Sequence, residues 1–302
     1  MPDPSAPGPA SPYDAAAFVA VAAREGRGAL VTTEVPGARL VALERRTGPF
    51  VVSHAPPLGF YHGPSLAAWP AEPEATRGGG ALGLLVDAVQ ARAHAFALAL
   101  APGTGVANGA DALCPPLPDV RPLVWRGVTC EVRFTYRLRL DGPDAVRAAM
   151  RPNARRTLPA HPEPLAQASP EALAAVVVAA YTRHRRRPPL GEAALARVAA
   201  GCEAAGIGRV VQVGEAVALV LDTGDGAAPC LALNGGPGLP RLVWALAADA
   251  ALAGRVLDLI GANTPSIADA KRRLGATLVP YVRATWHRAG LARAVSALRP
   301  LV

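Results

Sequence analysis

The chain has 302 residues, 51% hydrophobic, 18% charged and 5% aromatic, so its core is assembled from Ala, Val and Leu, with room for one large core or two smaller ones. Its 31 basic residues outnumber 23 acidic ones for a net charge of +8, and Lys271 is the only lysine, so its cations are almost all guanidinium forks suited to phosphate. The longest apolar candidate, Leu82 to Leu100, is broken by Asp87, Gln90, Arg92 and His94, which excludes it as a membrane span.

Thirty glycines and 31 prolines predict many loops in a chain that still folds. Cys114, Cys130, Cys202 and Cys230 form no CxxC pair and have no histidine at ligand spacing. They read as buried, reduced thiols, with no metal site and no disulfide framework. No basic segment precedes the short apolar stretch near the N-terminus, so the chain reads as cytoplasmic, with residues 1–10 a disordered tail.

In chain order, Ser11 and Pro12 open a helix from Tyr13 to Arg24 that Gly26 stops. Gly28 to Thr33, Arg39 to Arg45 and Phe50 to Ser53 then read as an antiparallel meander turned at Pro36-Gly37 and Thr47-Gly48. A Pro- and Gly-rich loop leads to a helix predicted from Ala81 to Leu100. From Thr129 to Leu140 the sequence alternates strictly, with Cys130, Val132, Phe134, Tyr136, Leu138 and Leu140 on the face expected to be buried. A short helix to Met150 and a connection over 151–168 follow.

Ser169-Pro170-Glu171 repeats the capping pattern and opens a helix to about His184, with another from Glu192 to Ala205. Arg209 to Val213, Ala216 to Leu221 and Pro229 to Leu233 form a second meander. A helix over 240–253, a strand over 256–260, a helix over 265–274 and a strand over 278–286 complete the chain. Both halves run helix, meander, Gly/Pro-rich loop, helix, strand. That order suggests two lobes of mixed α/β structure, 11–158 and 169–302, and strand 229–233, helix 240–253 and strand 256–260 form a right-handed βαβ unit.

No phosphate-loop, nucleophile-elbow, HExxH or strand-linked GxGxxG signature is present, which removes most nucleotide hydrolases, α/β serine hydrolases, zincins and ordinary dehydrogenases. Asn234-Gly235-Gly236-Pro237-Gly238 follows a strand and opens a helix. Backbone amides at such a start cradle anions, although a loop of this composition also turns a chain for no other purpose. Tyr61 and His62 lie in the loop PPLGFYHGPS (56–65), where they line a pocket and move protons or simply sit at the surface. Arg155 and Arg156 suit phosphates, and Lys271, Arg272 and Arg273 in a last helical turn read as solvated charges favoured by the helix dipole.

Three blocks carry a resemblance: VWRGVTCEVRFTYRLRL (124–140), RPNARRTL (151–158) and VLDLIGANTPSIADAKRRLGATLVPYVRATW (256–286). Together with the 56–65 loop, they resemble in order and spacing the FemABX-type branch of the GNAT acyltransferase superfamily. The resemblance implies two tandem GNAT-like lobes and transfer of an acyl group, from acyl-CoA or from aminoacyl-tRNA, to a small-molecule amine, with no tightly bound cofactor. It implies a donor site at Asn234, Gly235, Gly236 and Gly238, and substrate contacts at Trp125, Arg126, Arg155, Arg156, Gly261 and Asn263. Asp258, at the end of a strand predicted to be buried, either orients the acceptor amine or accepts hydrogen bonds from the following turn, Gly261 to Thr264, and merely caps it; with the loop residues Tyr61 and His62 it makes up the candidate catalytic set. Two departures stand out. The family's Arg/Gln-x-x-Gly-x-Gly/Ala phosphate sequence is absent, and Ile260 occupies the position that is acidic in the family's FDFEGS-like block.

No heptad run marks a tRNA-binding coiled coil, which favours a small acyl donor such as acetyl-CoA. The alternatives are a Fem-like aminoacyl-tRNA-dependent transferase and a binding or scaffold protein that keeps the fold without the activity. DNA is not an expected partner, and too few aromatics are present for base stacking in an RNA-binding module.

Overall fold

The computed structural model describes residues 11–26, 28–66, 80–104, 112–224 and 227–288; the tail expected over 1–10 lies outside them. Ser11 Oγ accepts a hydrogen bond from the Tyr13 amide at 3.3 Å and heads a single 3-10 turn, Pro12–Asp14. Helix α1 (Ala16–Ala23) follows, then strands β1 (Ala29–Val35), β2 (Ala38–Thr47), β3 (Phe50–His54) and the two-residue β4 (Ser65–Leu66). Next come α2 (Gly80–Arg92), β5 (Ala95–Leu100), the short α3 (Arg121–Val124) and β6 (Thr129–Arg139).

The expected helix over 81–100 is therefore a helix and a strand. His94 ends the helix by bonding across to β3: its amide donates to the Val51 carbonyl at 2.7 Å, and its Nδ1 accepts from the Val51 amide at 3.1 Å. The remaining AFALAL is a run of six apolar residues, short enough for a strand and too short for a separate helix. As β5 it lies parallel to β3, and parallel neighbours require a long crossover, which here contains α2.

Further along are α4 (Pro143–Ala149), α5 (Pro152–Arg155), β7 (Ala166–Gln167), α6 (Pro170–Arg183), α7 (Glu192–Ala204), β8 (Gly208–Val213), β9 (Ala216–Leu221) and β10 (Cys230–Gly235). Then come α8 (Leu239–Ala247), β11 (Val256–Asp258), α9 (Pro265–Arg273) and β12 (Thr277–His287). The Ser169 side chain caps α6 by accepting from the Ala172 amide, as its sequence predicts. Two-residue strands and single-turn helices such as β4, β7, α3 and α5 fall below the length at which any periodicity shows.

The chain divides into two compact units, one built on residues up to 110, 115–133 and 280 onward, the other on 111–114 and 134–279. In the first, strands run in the order β1, β2, β3, β5, β12, with β4 beside β2. Leu40, Leu82, Leu85, Phe96, Leu98 and Leu123 fill its core, and Phe96 stacks on Trp286 at 5.7 Å. In the second, the order is β6, β11, β10, β9, β8, β7, antiparallel except for β10 with β11. All six residues of β9 are buried, because α6 packs on one region of the β9–β10 sheet and α8 packs on β8 and β9. Both units are mixed α/β, as the element order implied. Among the described residues no helix is long and apolar enough to cross a membrane.

Strand β6 departs from the expected alternation. Val132 and Phe134, assigned to the buried face, are 53% and 39% exposed, whereas Thr135 and Arg137 are as buried as Tyr136 and Leu138. The polar side chains of its second half face a buried carboxylate.

In the first unit, half-buried Asp14 ties the N-terminal turn to the loop after β3, its Oδ1 accepting from the Gly63 amide at 3.0 Å. Desolvation, opposed by that bond, raises Asp14 from 3.8 to about 7. The folded value lies above the unfolded one, so this contribution to stability is full below pH 3.8 and is lost as pH rises through about 7. Asp14→Asn, which keeps the acceptor oxygen, should stabilise the protein at pH about 8 by up to roughly 4 kcal/mol and leave it unchanged near pH 3. Urea unfolding at both pH values checks this; equal stability of the two proteins at the higher pH would refute it.

Candidate functional site

The second unit gathers its buried charges at the end of β11. Asp258 is fully buried. Its Oδ1 accepts from Thr135 Oγ1 at 2.6 Å and from the Ile260 amide at 2.8 Å, and its Oδ2 lies 3.4 Å from Arg137 Nε. Arg137 is itself 1% exposed and also donates to the Ala112 carbonyl at 2.9 Å. These partners supply what a carboxylate needs to leave water: donors for both oxygens and an adjacent cation.

The turn that follows is held at several points. Leu259 and Ala262 donate their amides to the carbonyls of Tyr136 and Phe134 at 2.8 and 2.9 Å. The Asn263 side chain pairs with the Phe134 backbone from both ends of its amide, accepting at 3.1 Å and donating at 3.3 Å. Within the turn Ile260 has φ +53°, a left-handed conformation that costs a β-branched residue ~1–3 kcal/mol. Lys271, expected to be solvated with its neighbours, is 6% exposed, and its Nζ donates to the carbonyls of Leu259 and Gly261 at 2.5 and 2.7 Å. Burial lowers it from 10.5 to about 8, against the pull of Asp258 in the other direction.

Beside this turn the parallel pair β10 and β11 separates. Their register is Cys230 opposite Asp258, with the Asp258 amide donating to the Pro229 carbonyl at 2.8 Å. Beyond it the chain after Asp258 stays bonded to β6, while β10 runs on to Gly235 along β9. A register irregularity between Leu231 and Leu233 interrupts the β9–β10 ladder at the same level.

Asn234, Gly235, Gly236 and Gly238 carry β10 into α8. A Cβ on Gly235 would lie 2.7 Å from Val176 Cγ1 of α6, and one on Gly236, at φ +80°, would overlap the Glu215 carbonyl oxygen. Both positions require glycine for packing alone. Gly238 is the left-handed residue that starts α8, and the helix has Pro240 in its first turn, so the leading amides come from Leu239 and Arg241. First-turn amides have no acceptor within their own helix. The Arg241 side chain lies in the same first turn, with its Nε 3.4 Å from Glu163 Oε2. The pair is electrostatic only: both atoms are buried and neither makes a hydrogen bond. The motif reading passed over Arg241 because the family's phosphate sequence places its basic residue before the glycines.

The other sequence-derived candidates are placed as follows. Gly261 is half-buried in the Asp258 turn at φ +65°, and Asn263 is exposed beside it. Arg155 and Arg156 are exposed at the end of α5. In the first unit, Trp125 is exposed, with the Arg121 guanidinium 5.9 Å from its ring. Arg126 forms a forked pair with Asp87 of α2 at 2.8 and 3.1 Å. Tyr61 and His62 are both 2% exposed, so the surface alternative for His62 does not hold. The Tyr61 ring meets those of Tyr13 and Tyr281 edge to face. The His62 backbone bridges to Ala99 in both directions at 2.7 and 2.9 Å, its Nε2 is buried without a partner, and desolvation, aided by His54, lowers it to about 4.

The cysteines are free, but only two fit the buried expectation: Cys202 and Cys230 are buried, Cys130 is half-buried and Cys114 exposed. Burial pushes the Cys202 thiol up to about 12, which makes it inert. Among the described residues no three metal-ligating side chains come together.

No protein-family model matches the sequence, and no curated protein does. Solved structures do. A conserved protein of unknown function from Bacteroides thetaiotaomicron is 10% identical over 91% of this chain and 92% of its own, with a TM-score of 0.50. The C-terminal DUF2156 domain of a putative lysylphosphatidylglycerol synthetase from Agrobacterium fabrum is 13% identical over 94% and 92%, with a TM-score of 0.49. A putative acetyltransferase from Pyrococcus horikoshii is 12% identical over 92% and 87%, with a TM-score of 0.40. At 10% identity the likeness to the Bacteroides protein is one of fold alone.

The Asp258 network makes a testable demand on Arg137. Replacing Arg137 with Met removes the cation and leaves the carboxylate buried, which should cost ~3–5 kcal/mol, whereas exposed Arg155→Ala should stay within about 0.5 kcal/mol of the parent. Denaturant midpoints at neutral pH compare the two, and an Arg137→Met protein as stable as the parent would show that the carboxylate does not depend on its partner.

Proposed function

We propose that this chain is an acyltransferase of the GNAT type whose second unit holds an acyl donor, acyl-CoA in the first instance, and passes the acyl group to a small-molecule amine. The observation that carries this reading is the separation of β10 from β11 after Cys230 and Asp258, followed on the β10 side by a glycine turn into α8. A parallel pair that opens at its carboxyl end is where ligands of α/β sheets collect. The opening leaves β10 backbone groups to receive an extended ligand strand, and the start of α8 with Arg241 offers amides and a guanidinium to the donor's phosphates.

Chemistry follows from that placement. β10 amides near the register irregularity donate to the thioester oxygen and stabilise the negative charge that develops on it. The acceptor's neutral amine attacks the acyl carbon; the new C–N bond forms, the C–S bond breaks, and the proton lost by the amine ends on the departing thiolate. No side-chain nucleophile is required, in keeping with the missing catalytic signatures. Asp258 acts through the turn it anchors rather than by touching the amine, because its oxygens are already engaged and shielded from water.

A second reading has one observation in its favour. Ile260 stands where the family has an acid and is itself buried, so the fold serves equally as a binding module that holds the donor without transferring from it. An aminoacyl-tRNA donor is the remaining variant, resting on the arginine-rich charge.

Acetyl-CoA at about 100 times its Kd should stabilise the protein by ~2.7 kcal/mol, seen as a rise in Tm. Arg241→Ala should weaken CoA binding roughly tenfold and flatten its salt dependence. Titration calorimetry at two salt concentrations measures both. Equal affinities of parent and variant would remove the α8 start from the site, and donor binding without acetyl transfer across a panel of amines would favour the binding module.

A further inference from the structure

We propose that Lys271 is a positioning residue of the transfer site: its buried ammonium, donating to the Leu259 and Gly261 carbonyls, latches the turn after β11, so that transfer declines when the amine loses its proton. The proposal rests on the acyltransferase reading for its consequence in turnover; the latch itself stands on geometry. Lys271 is the sole lysine of the chain, and it lies in a helical turn whose other two cations, Arg272 and Arg273, reach outward to Asp269. Only Lys271 turns inward, and both of its bonds go to the carbonyls on either side of Ile260, the residue held in the left-handed conformation.

The remaining holds act on the amides of the turn and on the Asn263 side chain. Asp258 takes the Ile260 amide, and the Phe134 and Tyr136 backbone takes Leu259, Ala262 and Asn263. The two carbonyls beside Ile260 are the acceptors that Lys271 serves. The Leu259 carbonyl belongs to the peptide group that enters Ile260 and the Gly261 carbonyl to the one that leaves Gly261, so one cation bonded to both ties the two ends of the left-handed pair Ile260-Gly261 together. The turn continues directly from β11, on the opposite side of the proposed donor opening from the α8 start, so its shape bears on where the acceptor sits.

The charged surroundings set the response to pH. Asp258 on β11 is the anion that favours the ammonium, and Arg137 on β6 is committed to Asp258. Tyr136 on β6 acts on Arg272, and Asp269 on α9 is shared between Arg272 and Arg273. Burial outweighs Asp258 and brings Lys271 to about 8. The folded value then lies below the unfolded one, so folding stability rises as pH climbs from about 8 toward the unfolded value. Transfer, on the proposal, falls over the same range. A purely structural lysine would not make turnover fall where stability rises.

The single lysine allows a direct test in the full chain. With [13Cε]lysine, one side-chain signal reports the titration. Expected are an inflection near pH 8, a loss of about tenfold or more in amide-exchange protection at Ile260 and Ala262 in Lys271→Met, and a kcat drop of about tenfold with the donor KM within about twofold. The alkaline limb of the wild-type kcat profile should vanish in the variant. A wild-type inflection above about 10, unchanged protection in Lys271→Met, or an alkaline limb that survives in it would each overturn the proposal. Should Lys271→Met not fold, the wild-type titration and Lys271→Arg, which keeps the charge at all accessible pH and must therefore lose the alkaline limb, decide in its place. A wild type that binds donor without turnover refutes the transferase reading; the titration and the exchange data then still accept or reject the latch.

Discussion

A carboxylate taken fully out of water constrains the second unit more than any other group in it. Asp258 has to receive donors on both oxygens and a cation nearby, and two parts of the chain provide three groups for it: Thr135 and Arg137 from β6, and the Ile260 amide from the turn. Strand β6 thereby buries side chains of both faces. β11 stops at Asp258, because the next amides go to β6 and to the carboxylate itself. The parting of β10 from β11, on which the functional reading depends, is thus the geometric consequence of how one charge is satisfied.

Much of the fold was legible in local patterns. Ser11 and Ser169 cap their turns, both meanders pair as expected, and the glycine run opens a helix. The failures share a cause: patterns of polarity report exposure only where polar groups have no partners. Thr135 and Arg137 read as a solvated face because nothing near them in sequence announces Asp258, more than a hundred positions away. Lys271 read as solvated because its acceptors are backbone carbonyls, which carry no sequence signature. Strand β5 disappeared into the preceding helix because its run of six apolar residues continues the helix's apolar content and its boundary is set by His94 bonding to Val51, a contact across the sheet.

The candidate loop was recognisable in the sequence, but its glycines answer to more than one demand. Asn234 to Gly238 was found through its glycines, yet Gly235 and Gly236 are required by Val176 and the Glu215 carbonyl before any ligand is considered. In an aromatic-poor chain, close backbone approach takes over part of the packing that large side chains would otherwise supply, and a loop shaped for that approach also exposes the amides of a helix start. Packing and anion binding ask for the same residues here, so composition alone cannot separate them. Arg241 is a separate observation, since its Nε faces Glu163 Oε2 without a hydrogen bond and so contributes little to packing.

Stability by itself does not account for the ionised groups around the turn. A buried ion pair is commonly no better for folding than apolar residues of similar volume, and Lys271 is more favourably buried neutral than charged, as its lowered value records. The chain nevertheless places one carboxylate, one guanidinium and its only lysine around a five-residue turn that includes a left-handed isoleucine. Asp258 and Lys271 orient backbone of the turn, the one an amide and the other two carbonyls, and Arg137 holds the carbonyl of Ala112. Apolar substitutes would fill the same volume and orient none of these groups. What the arrangement secures is a defined conformation at one end of β11, and a preorganised backbone is the form of catalytic help that a transfer without a side-chain nucleophile requires.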